Sequence, residues 1–231
     1  MNEMPLVFND IADGYDSWFE TPEGKKVKAL ELDTLLRMVG DVEGRKMLEV
    51  GIGTGLFAME FRARGAEVVG IDPAPRMVEI ARLRGFDVQI AYGENLPFPD
   101  DSFDIVFSMT AMENSHDPKK FLSEMVRVTK KDGIVVVAVL NLLSLYGLYR
   151  KLFGWKKQNL IFRNMHFFTW WELKKLMKKY VQQVEITSSV FFPPNPSSYF
   201  LKHAYDLEKL GQRWAKPLGA LLVSRGLKKN C

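Results

Sequence analysis

Hydrophobic and polar positions along the 231-residue chain follow two alternating periods. Short apolar runs that suit buried strands are separated by stretches in which apolar residues recur at helical spacing. The strand-like runs lie at 47–50, 68–71, 88–91, 103–109 and 134–140, and the helical stretches at 56–64, 76–84 and 119–129. Such alternation predicts an α/β fold in which a parallel sheet is covered by helices on both sides. Ligands of such sheets bind at the carboxyl ends of the strands.

The two ends of the chain depart from this rhythm. It opens with two apolar-periodic segments, 7–19 and 24–38, which Pro22 separates. Beyond residue 140 the alternation gives way to a basic, aromatic stretch that runs to 168. The elements predicted after it are a helix over 169–180 that begins with a capping box of Thr169 and Glu172, and strands over 184–190 and 220–223.

Composition supports one globular domain. Hydrophobic residues make up 47% of the chain, which provides a packed core and excludes wholesale disorder. The one cysteine, Cys231, excludes a disulfide framework or a zinc cluster of cysteines and suits a reducing compartment. The first residues lack the basic and apolar regions of a secretory signal, and the uncharged stretch 133–149 is shorter than the roughly 20 residues of a spanning helix. We therefore expect a cytoplasmic protein.

Charge is distributed unevenly along the chain. Residues 1–149 carry 16 basic and 24 acidic side chains, whereas residues 150–231 carry 16 and 4. The imbalance is greatest over 150–180, with nine basic residues and Glu172 as the one acid. Such a stretch is either a solvated surface or a contact for an anionic partner: a substrate, lipid headgroups or RNA.

A glycine-rich turn, MLEVGIGTGLFA at 47–58, joins the first strand to its helix. Its glycines are Gly51, Gly53 and Gly55, and Leu56 stands where the dinucleotide fingerprint requires its third glycine. No Gly-Lys-Ser/Thr follows, so the phosphate-loop pattern also fails. Either the turn binds another cofactor or it is a tight turn without a ligand.

Two acidic residues beside this turn favour a particular cofactor. Glu49 precedes the glycines, where a carboxylate would repel a pyrophosphate and attract an ammonium or sulfonium group. Asp72 ends the second strand, about 20 residues beyond the turn, where a carboxylate accepts hydrogen bonds from ribose hydroxyls. S-adenosylmethionine (SAM) has a ribose, an ammonium, a sulfonium and no phosphate, so it fits both acids.

Several motifs resemble those of the class I SAM-dependent methyltransferases. EVGIGTG is similar to their first motif, GIDPAPRMVEIA to the second and GENLPFPDDSFDIVFS to the third, and FNDIADGYDSW resembles the lead-in of the subgroup that includes the quinone-biosynthesis C-methyltransferases. The resemblance covers 8–140 well, and HFFTWWEL and GALLVSRG beyond it. It implies a Rossmann-like, doubly wound, mostly parallel seven-stranded sheet with helices on both faces and its last strand antiparallel.

The resemblance also implies four regions within a single domain over 1–231: an N-terminal helical lid (1–40), a SAM-binding core (41–140), an acceptor-side insertion (141–168) and a C-terminal helix with strands (169–231). The cofactor-binding residues that it implies are Tyr15, Glu49, Gly51, Gly53, Gly55, Asp72, Pro73, Met77, Glu94, Asn95, Leu96 and Met109. Tyr92 stands where many relatives have an aspartate on the adenine amino group. Either Tyr92 contacts the adenine there, or backbone groups alone recognise the amino group.

Methyl transfer from a sulfonium needs alignment and the exclusion of water, and a base only where the acceptor must lose a proton. His116, after the fourth core strand, and His166, in the insertion, are the candidate bases, and no metal is required. After the fourth core strand the chain has SMTA, not the NPPY or DPPY of methyltransferases that modify the amino groups of nucleic-acid bases. Base amino groups are therefore disfavoured as acceptors.

The acceptor-side insertion interleaves aromatic and basic residues. This combination suits a small acceptor that is hydrophobic or anionic, and also a peripheral contact with an anionic membrane. The alternative is that the basic C-terminal part binds RNA, either as an RNA-directed methyltransferase or as a SAM-binding protein without methyl transfer. The residues concerned are Tyr149, Arg150, Lys151, Phe153, Trp155, Lys156, Lys157, Phe162, Arg163 and Phe167.

Overall fold

The structure is a computed structural model that describes residues 4–153 and 165–229. Within these ranges seven strands form one sheet: β1 (Lys46–Val50), β2 (Glu67–Asp72), β3 (Asp87–Ile90), β4 (Phe103–Met109), β5 (Thr129–Leu140), β6 (Val181–Ser189) and β7 (Leu221–Lys228). Their spatial order is β3-β2-β1-β4-β5-β7-β6. Strands β1 to β5 pair in parallel, and β7 runs antiparallel between β5 and β6. The predicted fold, including the antiparallel last strand, is confirmed.

Helices cover both faces of the sheet. They are α1 (Met4–Ile11), α2 (Ser17–Glu20), α3 (Pro22–Val39), α4 (Ala58–Arg62), α5 (Pro75–Leu83), α6 (Pro118–Val128), α7 (Leu145–Phe153), α8 (Trp170–Tyr180), α9 (Ser198–Lys202) and α10 (Ala204–Trp214). Helices α3, α4 and α5 pack their apolar residues on one face, and α6 and α8 pack theirs on the other. Both faces of the central strands are therefore buried, which explains their continuous apolar runs.

Local signals fix several helix starts. Thr21 caps α3, where its hydroxyl accepts a hydrogen bond from the Gly24 amide. Pro22 therefore begins this helix rather than only separating two segments. Both hydrogen bonds of the predicted capping box, between Thr169 and Glu172, are present at the start of α8. Strand β4 has the bounds that the apolar pattern predicts.

The sequence pattern was less informative after β5. Helix α10 (Ala204–Trp214), whose buried residues Ala204, Glu208 and Gly211 recur at helical spacing, was not predicted. Strand β7 extends to Lys228, beyond the apolar run that predicted it, because it pairs on both sides with β5 and β6. Of the basic and aromatic residues singled out in the insertion, Trp155, Lys156, Lys157, Phe162 and Arg163 lie outside the described residues, as does Cys231. No helix in the described residues is long and apolar enough to span a bilayer.

A candidate cofactor cleft at the carboxyl ends of the strands

A cleft opens where β1 and β4 adjoin, which is the point at which the strand order reverses. Its lining is mostly apolar with a few polar groups, as is usual in small-molecule sites. Eight residues implied by the family resemblance line it: Tyr15, Gly51, Gly53, Asp72, Pro73, Met77, Glu94 and Met109. These residues come from five separate parts of the chain, and the sheet brings them together because parallel strands end at the same edge.

Two glycines of the turn, Gly51 and Gly53, lack a side chain for different structural reasons. Gly51 has a φ of +82°, and a Cβ there would lie 2.3 Å from the Cβ of Ala111. Gly53 has a φ of +55° and nothing within 4 Å of its Cβ position. Gly51 is therefore required by protein packing, whereas Gly53 leaves open space at the wall of the cleft.

Gly55 does not line the cleft. A Cβ there would lie 2.9 Å from the ring of Phe86, and its φ is +85°. The structure thus gives Gly55 a packing role between the turn and the following helix layer. Its contact with a cofactor stays a prediction.

Asp72 holds the glycine turn to the end of β2. One carboxylate oxygen accepts a hydrogen bond from the Gly53 amide at 2.9 Å, and the other accepts one from the Ala74 amide at 2.9 Å. Burial raises the pKa of Asp72 to about 6, although both hydrogen bonds lower it. Each oxygen can accept one further hydrogen bond, so the group can bind two vicinal hydroxyls.

Glu49 lies behind the turn, outside the lining of the cleft. It is 2% exposed, and its Oε2 has no hydrogen-bond partner within the described residues. Burial, together with the charge of Asp72, raises its pKa well above the usual value. The Ala58 backbone amide also interacts with this carboxyl group. A buried carboxyl oxygen that lacks a partner is costly unless a cation or donor approaches it. The ammonium and ribose of SAM would supply the partners that Glu49 and Asp72 can use, so these residues fit this cofactor.

Residues around the predicted adenine end have mixed placements. Pro73, Met77 and Tyr92 line the cleft, together with Gly93. Glu94 lines it as well, and its Oε1 accepts a hydrogen bond from the His116 amide at 2.8 Å, which ties the loop after β3 to the loop after β4.

Asn95 and Leu96 do not line the cleft. Asn95 is exposed, and Leu96 is buried in the core, where its amide donates to Glu124 at 3.0 Å. For both residues a cofactor contact stays a prediction.

The segment after β4 contributes residues that the sequence had not indicated. Thr110, with a φ of +49°, and Ala111 follow Met109 in the wall of the cleft. Asn114 and Ser115 lie just beyond them in the same wall. Their position directly after a core strand was the available signal, because that position places them at the carboxyl edge of the sheet.

The N-terminal segment closes one side of the cleft through Phe8 and Tyr15. The neighbouring Asp16 anchors it: its carboxylate accepts from the Thr54 hydroxyl at 2.8 Å and pairs with the Arg84 guanidinium. Arg84 also donates to the Thr54 carbonyl at 2.9 Å. Asp16 was missed as a site residue, although it follows Tyr15 in the motif that resembles the family.

Neither candidate histidine lines the cleft. His116 is exposed on the loop after Ser115, with its backbone amide bound to Glu94. The His166 ring stacks edge-on against Phe168, and its Nε2 lies 2.7 Å from the carboxylate of Glu172 at the start of α8. A proton-accepting role for either residue stays a prediction. Within the described residues no group of three or more His, Cys, Asp or Glu side chains could hold a metal ion.

The chain is similar to known proteins along most of its length. A family model described as a methyltransferase domain matches residues 48–137. An uncharacterized protein of Methanocaldococcus jannaschii is 32% identical over 187 residues, which are 80% of this chain and 85% of that protein. A demethylmenaquinone methyltransferase of Renibacterium salmoninarum is 34% identical over 142 residues, 59% of this chain and 58% of that protein.

A solved structure from Thermotoga maritima, described as a SAM-dependent methyltransferase and possible histamine N-methyltransferase, has a TM-score of 0.77. It is 27% identical to this chain and is matched over 97% of this chain and 99% of its own. The sheet order, the cleft at the strand ends and these similarities agree with the motifs of the sequence. The chain belongs to the class I SAM-dependent methyltransferases, and its cofactor is S-adenosylmethionine.

Proposed function

We propose that the protein transfers the methyl group of SAM to a small-molecule acceptor that enters between the N-terminal helices and the segment after β5. The supporting observation is the covering of the cofactor cleft by Phe8 and Tyr15, held in place through Asp16. A cleft covered in this way excludes water and admits a compact acceptor more readily than a folded polymer.

We propose a contact with SAM for each of the following residues. Asp72 accepts the ribose hydroxyls and Glu49 orients the ammonium, while Gly53 lets the backbone approach the methionine part. Tyr15, on the N-terminal lid, separates the cofactor from the acceptor. Proposed adenine contacts come from Pro73, Met77, Tyr92 and Glu94.

The acceptor that we propose has an apolar body and an anionic group. Support comes from α7, where the Arg150 guanidinium lies 5.1 Å from the centre of the Tyr146 ring, with Tyr149 and Lys151 on the same helix. Tyr146 is half-buried, and burial raises the pKa of its hydroxyl. An aromatic and cationic environment of this kind binds an apolar molecule that carries a carboxylate or phosphate.

The proposal is tested by following the methyl group. The protein is incubated with methyl-labelled SAM and, in parallel, with a small-molecule extract and an RNA pool. We expect label in the small-molecule extract. Asp72→Ala serves as the control, because loss of its ribose contacts should abolish transfer at low SAM. Label that appears in RNA alone would overturn the proposal in favour of RNA as the acceptor.

We also propose a peripheral contact with an anionic membrane. An apolar groove lies between α7 and α10, and its lining includes Leu145, Leu210, Trp214 and Leu218. Each of these four side chains is more than half exposed. Three basic residues lie beside them on the surface: Lys209, Arg213 and Lys216. Exposed apolar residues with a basic rim complement a bilayer that carries anionic lipids.

A further inference from the structure

The groove between α7 and α10 is lined almost wholly by apolar side chains. Its lining comes from three parts of the chain: the start of α7, the segment that follows β6, and α10 with the turn after it. Among the described residues that line it, Ser144, Tyr146 and Trp214 are the only ones with a polar side-chain atom. The part of a ligand that fits between these walls is therefore apolar.

Two of these polar groups are already engaged within the protein. The Ser144 hydroxyl donates to the Asn141 carbonyl at 2.8 Å and accepts from the Gly147 amide at 2.9 Å. The Tyr146 hydroxyl is hydrogen-bonded with Arg150. A polar ligand group in the groove would lose its hydrogen bonds to water and gain few in return, whereas a hydrocarbon chain has none to lose.

The segment after β6 gives the groove a preformed surface. Val190 has a φ of +65°, which a β-branched residue rarely adopts. Its amide donates to the Glu208 carboxylate at 2.9 Å, and its carbonyl accepts from the Ala220 amide at 2.9 Å, so the conformation is held on both sides. A Cβ at Gly211 would lie 2.2 Å from the Phe191 ring, so the α10 backbone packs directly against this segment. Backbone held in this way is common at binding sites.

A guanidinium group lies beside the groove on each helix. On α7 the Arg150 guanidinium is 5.1 Å from the centre of the Tyr146 ring, and on α10 the Arg213 guanidinium is 4.9 Å from the centre of the Trp214 ring. Both rings line the groove. The apolar walls therefore carry cations at their edges.

The acids near the groove leave this rim net positive. Asp206 of α10 lies 3.5 Å from the His203 ring, and Glu208 is buried with its carboxylate bonded to a backbone amide. On the α7 side Arg150 interacts electrostatically with Glu23. The three basic residues on the surface of α10 outnumber these exposed acids, so the rim complements an anionic group.

The depth of the groove favours a slender ligand over a flat surface. Val190 and Phe192 line it although they are only 6% and 4% exposed. A bilayer face contacts the side chains that protrude, such as Trp214, and does not reach these two residues. A single hydrocarbon chain that lies between the walls contacts both.

We propose that this groove binds the hydrocarbon chain of a single-chain anionic amphiphile, a fatty carboxylate, with its charged group at the basic rim. The inference goes beyond the proposed membrane contact, which needs only the exposed side chains around the groove. It does not depend on which compound is methylated.

The first test measures how chain length and charge affect binding. Butanoate, heptanoate and decanoate are each titrated by calorimetry into the full-length protein. We expect the affinity to rise by up to about fourfold for each added methylene group, because each one is buried in the groove. Decanol should bind at least threefold more weakly than decanoate, whereas a purely apolar surface would bind decanol more tightly. An affinity that does not rise from butanoate to decanoate would overturn the inference, and so would tighter binding of decanol.

The second test fills the groove. Ala215→Trp should weaken decanoate binding at least tenfold, because Ala215 lines the groove and the larger side chain occupies the place of the ligand. Binding to phosphatidylglycerol vesicles should be retained or increased, because the substitution adds exposed apolar surface. Leu83→Trp is the matched control: Leu83 on α5 is 81% exposed and lies outside the groove, so decanoate binding should not change.

Leu210→Glu provides a second variant in case Ala215→Trp does not fold. Leu210 lines the groove and is 58% exposed, so a carboxylate there should be tolerated and should repel the ligand. Decanoate binding that is unchanged in both variants would overturn the inference. Vesicle binding without decanoate binding would overturn it and leave the membrane contact standing. Sedimentation that shows a dimer in the wild type and a monomer in the variants, without decanoate binding, would overturn it in favour of a second copy of the chain.

Discussion

The two sides of the cleft are built in different ways. On the cofactor side, the turn after β1 and the end of β2 are joined by hydrogen bonds, such as that from the Gly53 amide to the Asp72 carboxylate. On the other side, Glu31, Glu113 and Tyr15 come from elements that are far apart in sequence. Within the described residues one oxygen of Glu113 accepts a hydrogen bond from the Leu140 amide, and the other has no hydrogen-bond partner. One side is fixed by local motif chemistry, and the other depends on the packing of distant segments.

The largest effect that we expect is a loss of stability, and it distinguishes Gly51, which packing requires, from Gly53, which faces the cleft. Gly51→Ala should destabilise the protein by about 2–5 kcal/mol, because it combines a positive φ with a clash against Ala111. Gly53→Ala should cost about 1–2 kcal/mol for its φ alone, yet weaken SAM binding. Chemical denaturation and calorimetry separate the two outcomes. Ala111→Gly should recover part of the loss in Gly51→Ala, and failure to do so would remove the clash as its cause.

Asp72→Ala tests the cofactor side directly. Loss of a buried charged acceptor for the ribose hydroxyls should weaken SAM binding by about 1.5–3 kcal/mol, which is roughly 10- to 150-fold. Calorimetry with SAM and S-adenosylhomocysteine measures it. Asp87→Ala, at the exposed start of β3, is the control and should bind SAM as the wild type does. Equal affinity of the wild type for NAD would contradict our assignment of the cleft.

The folding stability that Glu31 contributes should change with pH in the opposite direction from that of a carboxylate in an ordinary ion pair. Glu31 has a higher pKa in the folded chain than in the unfolded one, so its ionisation lowers stability as the pH rises from about 4.5 to about 8. Glu31→Gln should therefore stabilise the free protein by about 1 kcal/mol or more at pH 8.5, and little at pH 4.5.

Thermal melts of wild type and variant at the two pH values measure this difference. Glu124→Gln provides the contrast, because Glu124 pairs with Arg127 and has a lowered pKa. That substitution should destabilise the protein at pH 8.5. A Glu31→Gln variant that is less stable than wild type at pH 8.5 would show that the Glu31 carboxylate has a compensating partner.

The N-terminal segment forms one wall of the cleft through Phe8 and Tyr15. Asp16→Asn should weaken its attachment to the glycine turn by about 1 kcal/mol, because a partly buried charge pair with Arg84 is lost. Hydrogen exchange around Tyr15 should then be faster, and SAM should restore less protection than in wild type. Asp13→Asn, which removes an exposed pair with Arg76, should leave exchange unchanged. Equal exchange in Asp16→Asn and wild type would remove the anchoring role.

The smallest expected effect concerns the surface of α10. Trp214→Ala should reduce binding to phosphatidylglycerol vesicles a few-fold, because it removes an exposed apolar side chain beside basic residues. Cosedimentation with anionic and with neutral vesicles measures it. Trp171→Ala is the control, because Trp171 on α8 is also mostly exposed, at 63% against 75% for Trp214. Similar losses in both variants, or binding that does not depend on lipid charge, would argue against this surface as the contact.

Much of the cofactor side was predictable from the sequence. The positions of the glycine turn and Asp72 are read from local spacing, because a strand-to-helix turn and the end of the next strand lie at one sheet edge in any doubly wound fold. The role of Glu49, which lies outside the cleft lining, stays a prediction. Sequence spacing did not distinguish Gly55, which packs on Phe86, from Gly53, which faces the cleft. That distinction depends on which neighbour approaches each backbone position.

The sequence alone determined the fold class, the family and the cofactor, since alternating periods and contiguous motifs are local properties. Only the tertiary structure decided that Glu31 and Glu113, which 82 positions separate in the numbering, are both buried. Nothing in the surroundings of either residue in the sequence indicates burial without a partner. Helix α3, which carries Glu31, packs against β5, β6 and β7, and burial in the fold, rather than residue type, raises the pKa values of both acids.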